Sequence, residues 1–231
     1  MDLTLAQTLN QVVGHSITFD ALLDFVQESY LVKGLFAACI LVMILSARTA
    51  DDTVRRTNVY TTLILVFAAI FLGRILQMVL PFSPRPLHTD GLDLVLAGDL
   101  RADVLEHDSS YPSDHALMFF AMASSVLIYH RQAGVVLMLH ALVVISLPRL
   151  ILGFHWASDI IAGAIIGGVI AVLLHRPVAR WLSRTGLAAF QANHPAVFSA
   201  LLFALLCETA TMYRGSRQII SEAAHFAHLV M

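Results

Sequence analysis

The chain has 231 residues, of which 58% are hydrophobic and only 13% charged, with a formal net charge of −2. A soluble domain carries about 25% charged residues, so this composition, with a mean hydropathy of +0.77, excludes an ordinary cytosolic globule, a disordered chain and a coiled-coil or collagen-like rod. A pI near 6.6 lacks the basic excess of a nucleic-acid binder.

In chain order, residues 1–28 place Asp2, Asp20, Asp24 and Glu28 between Leu, Val, Ile and Phe. They lack the basic start and unbroken apolar core of a cleavable signal, and read as one or two amphipathic helices at a membrane interface. A bilayer crossing needs roughly 20 mostly apolar residues. Six stretches qualify as spans: Tyr30–Ala47, Tyr60–Leu80, Asp114–Tyr129, Gly134–Leu150, Ser158–Leu174 and Ala196–Tyr213. The expected fold is thus an all-α, polytopic membrane bundle of about six helices behind an amphipathic segment, divided 1–28, 29–213 and 214–231. Cys39 and Cys207 fall inside apolar stretches, as buried thiols that form neither a disulfide framework nor a four-ligand metal site. The tail from Arg214 to Met231 reads as a short amphipathic helix, with His225 and His228 incidental to it.

Basic residues orient the bundle. Loops after spans one, three and five carry Arg48, Arg55, Arg56, Arg131, Arg176, Arg180 and Arg184; the opposite side carries Lys33, Arg85, Arg101, Arg149, Arg214 and Arg217. With Arg85 and Arg149 reserved for chemistry, the odd-numbered loops face the cytoplasm. The N-terminus and the loops after spans two and four face outward.

Three constellations then share the outer face: Pro84-Arg85-Pro86, Tyr111-Pro112-Ser113-Asp114-His115, and Arg149, His155 and Asp159. Charges at membrane depth are costly and mark functional sites. This set suits phosphoryl transfer. Two guanidiniums bind phosphate and neutralise developing charge, and a neutral His attacks phosphorus. Asp159, four residues after His155, shares its helical face and fixes the imidazole tautomer. His115 protonates the leaving oxygen, while Ser113 and N–H groups at a helix start hold phosphate oxygens. No metal enters this scheme. Taken singly, the same residues also read as an interfacial arginine anchor, an N-cap serine and a structural His–Asp pair.

These residues resemble the type 2 phosphatidic acid phosphatase superfamily, membrane lipid-phosphate phosphatases that share a core with vanadium haloperoxidases and carry K-x6-R-P, P-S-G-H and S-R-x5-H-x3-D. The chain has Arg85-Pro86, Pro112-Ser113-Asp114-His115, and Arg149, His155 and Asp159 at matching spacing, over about Gly73–Gly168. The resemblance implies His155 as the nucleophile forming a phosphohistidine, Asp159 as its orienting group and His115 as the general acid. It implies Arg85, Arg149 and Ser113 as phosphate ligands, a lipid phosphate in the bilayer as substrate, and no cofactor or metal.

Three positions depart from the pattern. Met78 stands where the first-motif Lys belongs, with Gln77 or Arg74 as candidates to compensate; Asp114 replaces the Gly and Pro148 the Ser. P-S-D-H and the missing Lys are similar to the bacterial undecaprenyl-diphosphate phosphatases. That implies undecaprenyl diphosphate as substrate, a bacterial-type inner or plasma membrane, and a site facing away from the cytoplasm. A lipid phosphotransferase using the same phosphohistidine, a non-catalytic lipid-phosphate binder and a vanadium-dependent halide oxidase are the alternatives. Elsewhere, His140 reads as a buried, hydrogen-bonded histidine, and Arg74 and Glu208 as a structural pair across helices or as groups that touch a headgroup. The acidic stretch 87–110 reads as a solvated flap or a divalent-cation site, and Gly163, Gly167 and Gly168 as close-packing positions.

Overall fold

Capping side chains mark where several helices begin. The computed structural model describes residues 2–47, 51–98, 100–101 and 103–214, and all of its regular elements are helical. Arg48, Asp99, Arg217, His225, His228 and the remainder of the tail lie outside the described residues. Helix α1 spans Asp2–Asn10 and α2 Ile17–Glu28, where Ser16 Oγ accepts the Phe19 N–H at 3.4 Å. Helix α3, Leu31–Ser46, opens with a π-turn over Leu31–Leu35. Helix α4, Asp52–Val79, is capped by Asp51, whose carboxylate accepts the Val54 N–H at 3.0 Å. Helix α5, Asp114–Tyr129, is capped by Ser113. Helix α6, Arg131–Ile151, contains a second π-turn, Ala141–Ser146. Helices α7, α8 and α9 are Ala157–Arg184, Leu187–Asn193 and Pro195–Ala210.

Helices α4, α6 and α7 are long and apolar enough to cross a membrane. The pair α2 and α3, bent by 65°, and the pair α8 and α9, bent by 117°, satisfy the same test together, giving up to five crossings. The third expected span, α5, has 16 residues, about 24 Å of helix against a core of about 30 Å. It has no need of greater length, because Ala116–Met118 and Val126 mark a helix buried at the centre of the bundle, with α4, α6 and α7 packed around it. Two boundaries differ from the apolar runs: α4 starts at Asp52 instead of Tyr60, and α7 continues to Arg184 instead of Leu174. Apolar runs mark the part of a helix that lipid covers, and both helices continue as polar turns. Cys39 and Cys207 are exposed free thiols, a correction to the buried positions expected: each sits on a helix face that no other helix covers.

Packing around α5 depends on glycine. A Cβ on Gly163 would fall 2.5 Å from the Ser113 carbonyl oxygen, and one on Gly167 2.2 Å from the Leu117 carbonyl oxygen and 2.9 Å from the Ala121 nitrogen. Gly168 is looser, its nearest neighbour Ser124 Oγ at 3.6 Å. Gly167→Ala is therefore expected to destabilise the protein by about 1–3 kcal/mol, because backbone atoms must shift to admit the methyl; thermal melts in detergent check this, with Gly168→Ala close to wild type as the internal control. At the other end of these helices a buried polar lock joins α4, α5 and α7. Ser125 Oγ lies 2.8 Å from both Thr62 Oγ1 and His175 Nδ1, and His175 Nε2 lies 3.2 Å from Asn58 Oδ1.

The stretch between α4 and α5 is pinned instead of forming a free flap. Asp90, Asp93, Asp103 and Glu106 are exposed, as expected for a solvated acidic face. Beneath them Leu92 and Ala97 are buried, and Ala97 packs with Val13, Leu23, Ile151 and Phe154. The Asn10 amide clamps the arrangement: Nδ2 donates to the Val95 and Ile151 carbonyls at 3.0 Å each, and Oδ1 accepts the Val95 N–H at 2.7 Å.

Candidate active site

Each motif is positioned by backbone bonds to another. Beyond α4, Arg85 precedes a 3₁₀ turn, Pro86–His88, and the next N–H, from Leu87, donates to the Gly153 carbonyl at 3.0 Å. Gly153 takes φ +70, a left-handed conformation that favours glycine. It lies inside a tight turn in which the Phe154 and His155 N–H groups both donate to the Arg149 carbonyl, at 2.9 and 3.4 Å. That turn occupies the five residues between Arg149 and His155. The Ser113 N–H donates to the Asp159 carbonyl at 3.1 Å, which the close approach at Gly163 permits. Gln77 Nε2 donates to the Pro112 carbonyl at 2.9 Å, fastening α4 to the start of α5.

These ties surround a cavity of about 760 Å³, within the range of small-molecule sites. His115, His155, Arg85 and Arg149 line it, joined by Arg74, Asp114 and Lys33. Asp159 stands behind His155, with Oδ2 at 3.6 Å from His155 Nδ1 and accepting the Trp156 N–H at 2.8 Å. Ser113 does not line the cavity; its hydroxyl accepts the Ala116 N–H at 3.4 Å, so it acts as a helix cap and as a tie between motifs. Met78 is 84% exposed on the far side of α4 and contributes nothing to the site. Arg74 does reach it, hydrogen-bonded to Gln77 Oε1 at 3.0 Å and 3.7–3.8 Å from Asp108 and Asp114. This corrects its expected pairing with Glu208: the arginine faces the cavity instead of α9.

The tautomer of His155 follows from its neighbours. Nδ1 lies 2.9 Å from the Ser110 carbonyl oxygen, which only accepts, so Nδ1 carries the proton. Nε2 lies 3.4 Å from Arg85 Nη1, which only donates, so Nε2 keeps its lone pair. The nearer orienting group is thus a backbone carbonyl, with Asp159 in support. Burial pushes the imidazole below the ordinary histidine value, with Asp159 acting in the opposite sense; the ring is held neutral, as a nucleophile requires. Arg85 is itself fixed by three carbonyls, donating to Asp108 at 3.1 Å, Phe154 at 2.6 Å and Ser109 at 3.4 Å. Burial pushes its guanidinium down, opposed by Asp114, Asp108 and Asp159. His115 Nδ1 bonds to Asp114 Oδ1 at 2.7 Å, which makes the Asp at the motif's Gly position the orienter of the second histidine.

Arg85 and Arg149 are 5% and 2% exposed, and neither makes an ion pair with a described residue. Buried cations that no salt bridge holds are costly; arranged around a cavity, they form an anion site. Among the described residues, no group of three or more His, Cys, Asp or Glu side chains is placed to hold a metal ion.

This architecture is matched by known proteins. Residues 81–183 match the PAP2 superfamily. It is 32% identical over 73 residues to the bacitracin transport permease protein BcrC of Bacillus licheniformis, covering 31% of this chain and 36% of that protein. It is 38% identical over 60 residues to the putative undecaprenyl-diphosphatase YbjG of Escherichia coli, covering 26% and 30%. To the lipid A 1-diphosphate synthase of Escherichia coli it is 26% identical over 112 residues, covering 48% and 47%. The matches thus span less than half the length of each of these curated relatives. The crystal structure of Aquifex aeolicus LpxE shares the fold, with a TM-score of 0.53 at 22% identity, over 74% of this chain and 92% of that one. With three crossing-length apolar helices, the chain is a multi-pass membrane protein.

Proposed function

We propose that the protein hydrolyses a lipid diphosphate, undecaprenyl diphosphate or a close relative, through a phosphohistidine on His155. The observation that carries this reading is the pair of buried, unpaired guanidiniums, Arg85 and Arg149, beside an imidazole whose bare Nε2 faces Arg85. The phosphate to be transferred sits between them. Nε2 attacks phosphorus as the bond to the leaving oxygen breaks. His115, held by Asp114, gives that oxygen its proton, and water then releases orthophosphate from His155. Asp159 and the Ser110 carbonyl stabilise the imidazolium character that develops on attack, and no metal takes part. Ser113 serves by capping α5 beneath the site. Around it we place a bundle of six crossings, counting α3, α5 and the bent pair α8 and α9, with α1 and α2 at the interface and the cavity opening away from the cytoplasm. A headgroup enters there while its tail stays in the bilayer.

The test is phosphate release by the full chain in detergent, with EDTA present, from undecaprenyl diphosphate and phosphatidic acid. Release from the diphosphate together with an acid-labile phosphoenzyme after quenching is the expected result. Release that EDTA abolishes would overturn the metal-free route. Turnover only when an acceptor lipid is added would make the protein a phosphotransferase.

A further inference from the structure

Lys33 is the only lysine in the chain, and it is buried, at 4% exposure, inside an apolar segment. An interfacial lysine extends its ammonium to water; this one lines the same cavity as His115, Arg149 and His155. Its ammonium donates to the Gln27 carbonyl and stands 5.2 Å from the centre of the Tyr30 ring. It makes no ion pair with a described residue, and its charged neighbours are Arg149 and Glu28.

The fold holds this side chain in place. Lys33 belongs to the π-turn that opens α3, and such turns are frequent at functional sites. Two contacts fasten the turn. The preceding carbonyl, of Val32, accepts from His140 Nε2 at 3.0 Å. The following residue, Gly34, lies so close to Ala210 that a Cβ would fall 1.8 Å from that residue's carbonyl oxygen.

The cavity has two ends. Arg85 contacts His155 at the nucleophile end. Lys33, His115 and Arg149 line the same cavity, and Lys33 has no contact with His155 or Arg85 comparable to the one those two make with each other. We propose that Lys33, buried in the wall of the cavity that His115 and His155 also line, binds the second phosphate of a lipid diphosphate and selects diphosphates over monophosphates. This rests on the phosphatase reading above. When Nε2 of His155 bonds to the terminal phosphorus, the bridging P–O bond breaks and its electron pair stays on the lipid-side phosphate. That group leaves as a lipid monophosphate, with a proton from His115 and its negative charge facing Lys33. A monophosphate substrate expels an alcohol, which offers Lys33 no charge.

The test compares kcat/KM on a polyprenyl diphosphate and on the same polyprenyl monophosphate, for the full chain in detergent. Lys33→Met should lose about ten- to a hundredfold on the diphosphate and less on the monophosphate, while Lys33→Arg keeps the preference. Equal loss on both lipids, or no loss, overturns the proposal. Should Lys33→Met fail to fold, calorimetry on the unmodified protein decides: methylenediphosphonate should bind at least tenfold tighter than orthophosphate, and equal affinities overturn the second site. Tight diphosphonate binding by a protein that releases no phosphate from either lipid would support the site and sink the phosphatase reading instead.

Discussion

His155→Ala is expected to lower phosphate release by about 10⁴-fold or more, the scale seen when a nucleophile is removed from a group of residues that act as a unit. It should also abolish the covalent phosphoenzyme. The variant should fold, because, of the ring's contacts, Asp159 and Arg85 keep other partners, and Ser110 stays tied to Ser83 through its N–H. Wild-type-like turnover in His155→Ala would remove His155 from the mechanism. The pH dependence carries a sign. The nucleophile is the neutral ring, and burial lowers its pKa from the ordinary 6.5, so the acid limb of kcat/KM that it governs should lie below pH 6.5. Asp159 favours the charged ring. Asp159→Asn should therefore move that limb further down while lowering kcat, and an upward shift would count against the assignment.

Arg149→Met is expected to separate activity from stability. Arg149 is buried, and its guanidinium makes a single hydrogen bond with a described residue, to the Ile145 carbonyl at 2.8 Å, although the group carries five donors. Removing an electrostatic stabiliser of this kind costs about 10²- to 10³-fold in rate. Folding should not suffer to match, because a desolvated charge that no salt bridge holds is itself a burden, and apolar replacement of buried charges is often neutral or stabilising. The melting temperature of Arg149→Met should equal or exceed that of wild type. Orthophosphate should raise the wild-type value by mass action and leave the variant unmoved. A variant that melts lower yet retains turnover would show Arg149 to be a structural residue.

The legible parts of the site were the local ones. Arg149, His155 and Asp159 fall within one turn and the helix start that follows it, so their spacing along the chain is nearly their spacing in space. Ser113 and His115 open a helix for the same reason, although only the structure shows that Ser113 is occupied with capping. Lys33 was hidden because its place depends on a π-turn, on Gly34 against Ala210 and on His140 across the bundle, none of which leaves a periodic trace. In the sequence it counted as one more loop charge, and its signal was that the chain has no other lysine. The Ser110 carbonyl was invisible for a different reason, since a backbone atom carries no residue identity. Apolar runs located the helices but not their polar ends. They also could not tell α5, short and enclosed by protein, from a helix that meets lipid.

The Asn10 clamp sets an order of assembly. The amide is translated early, yet its partners at Val95 and Ile151 lie 85 and 141 residues later. Contacts of such separation form late, because the intervening chain must first be brought together. The first helix therefore waits, its amide unmatched, until α6 is complete and the turn toward His155 has begun. The stretch between α4 and α5 is thus locked to the end of α6 by a residue made before either of them, after most of the bundle is in place.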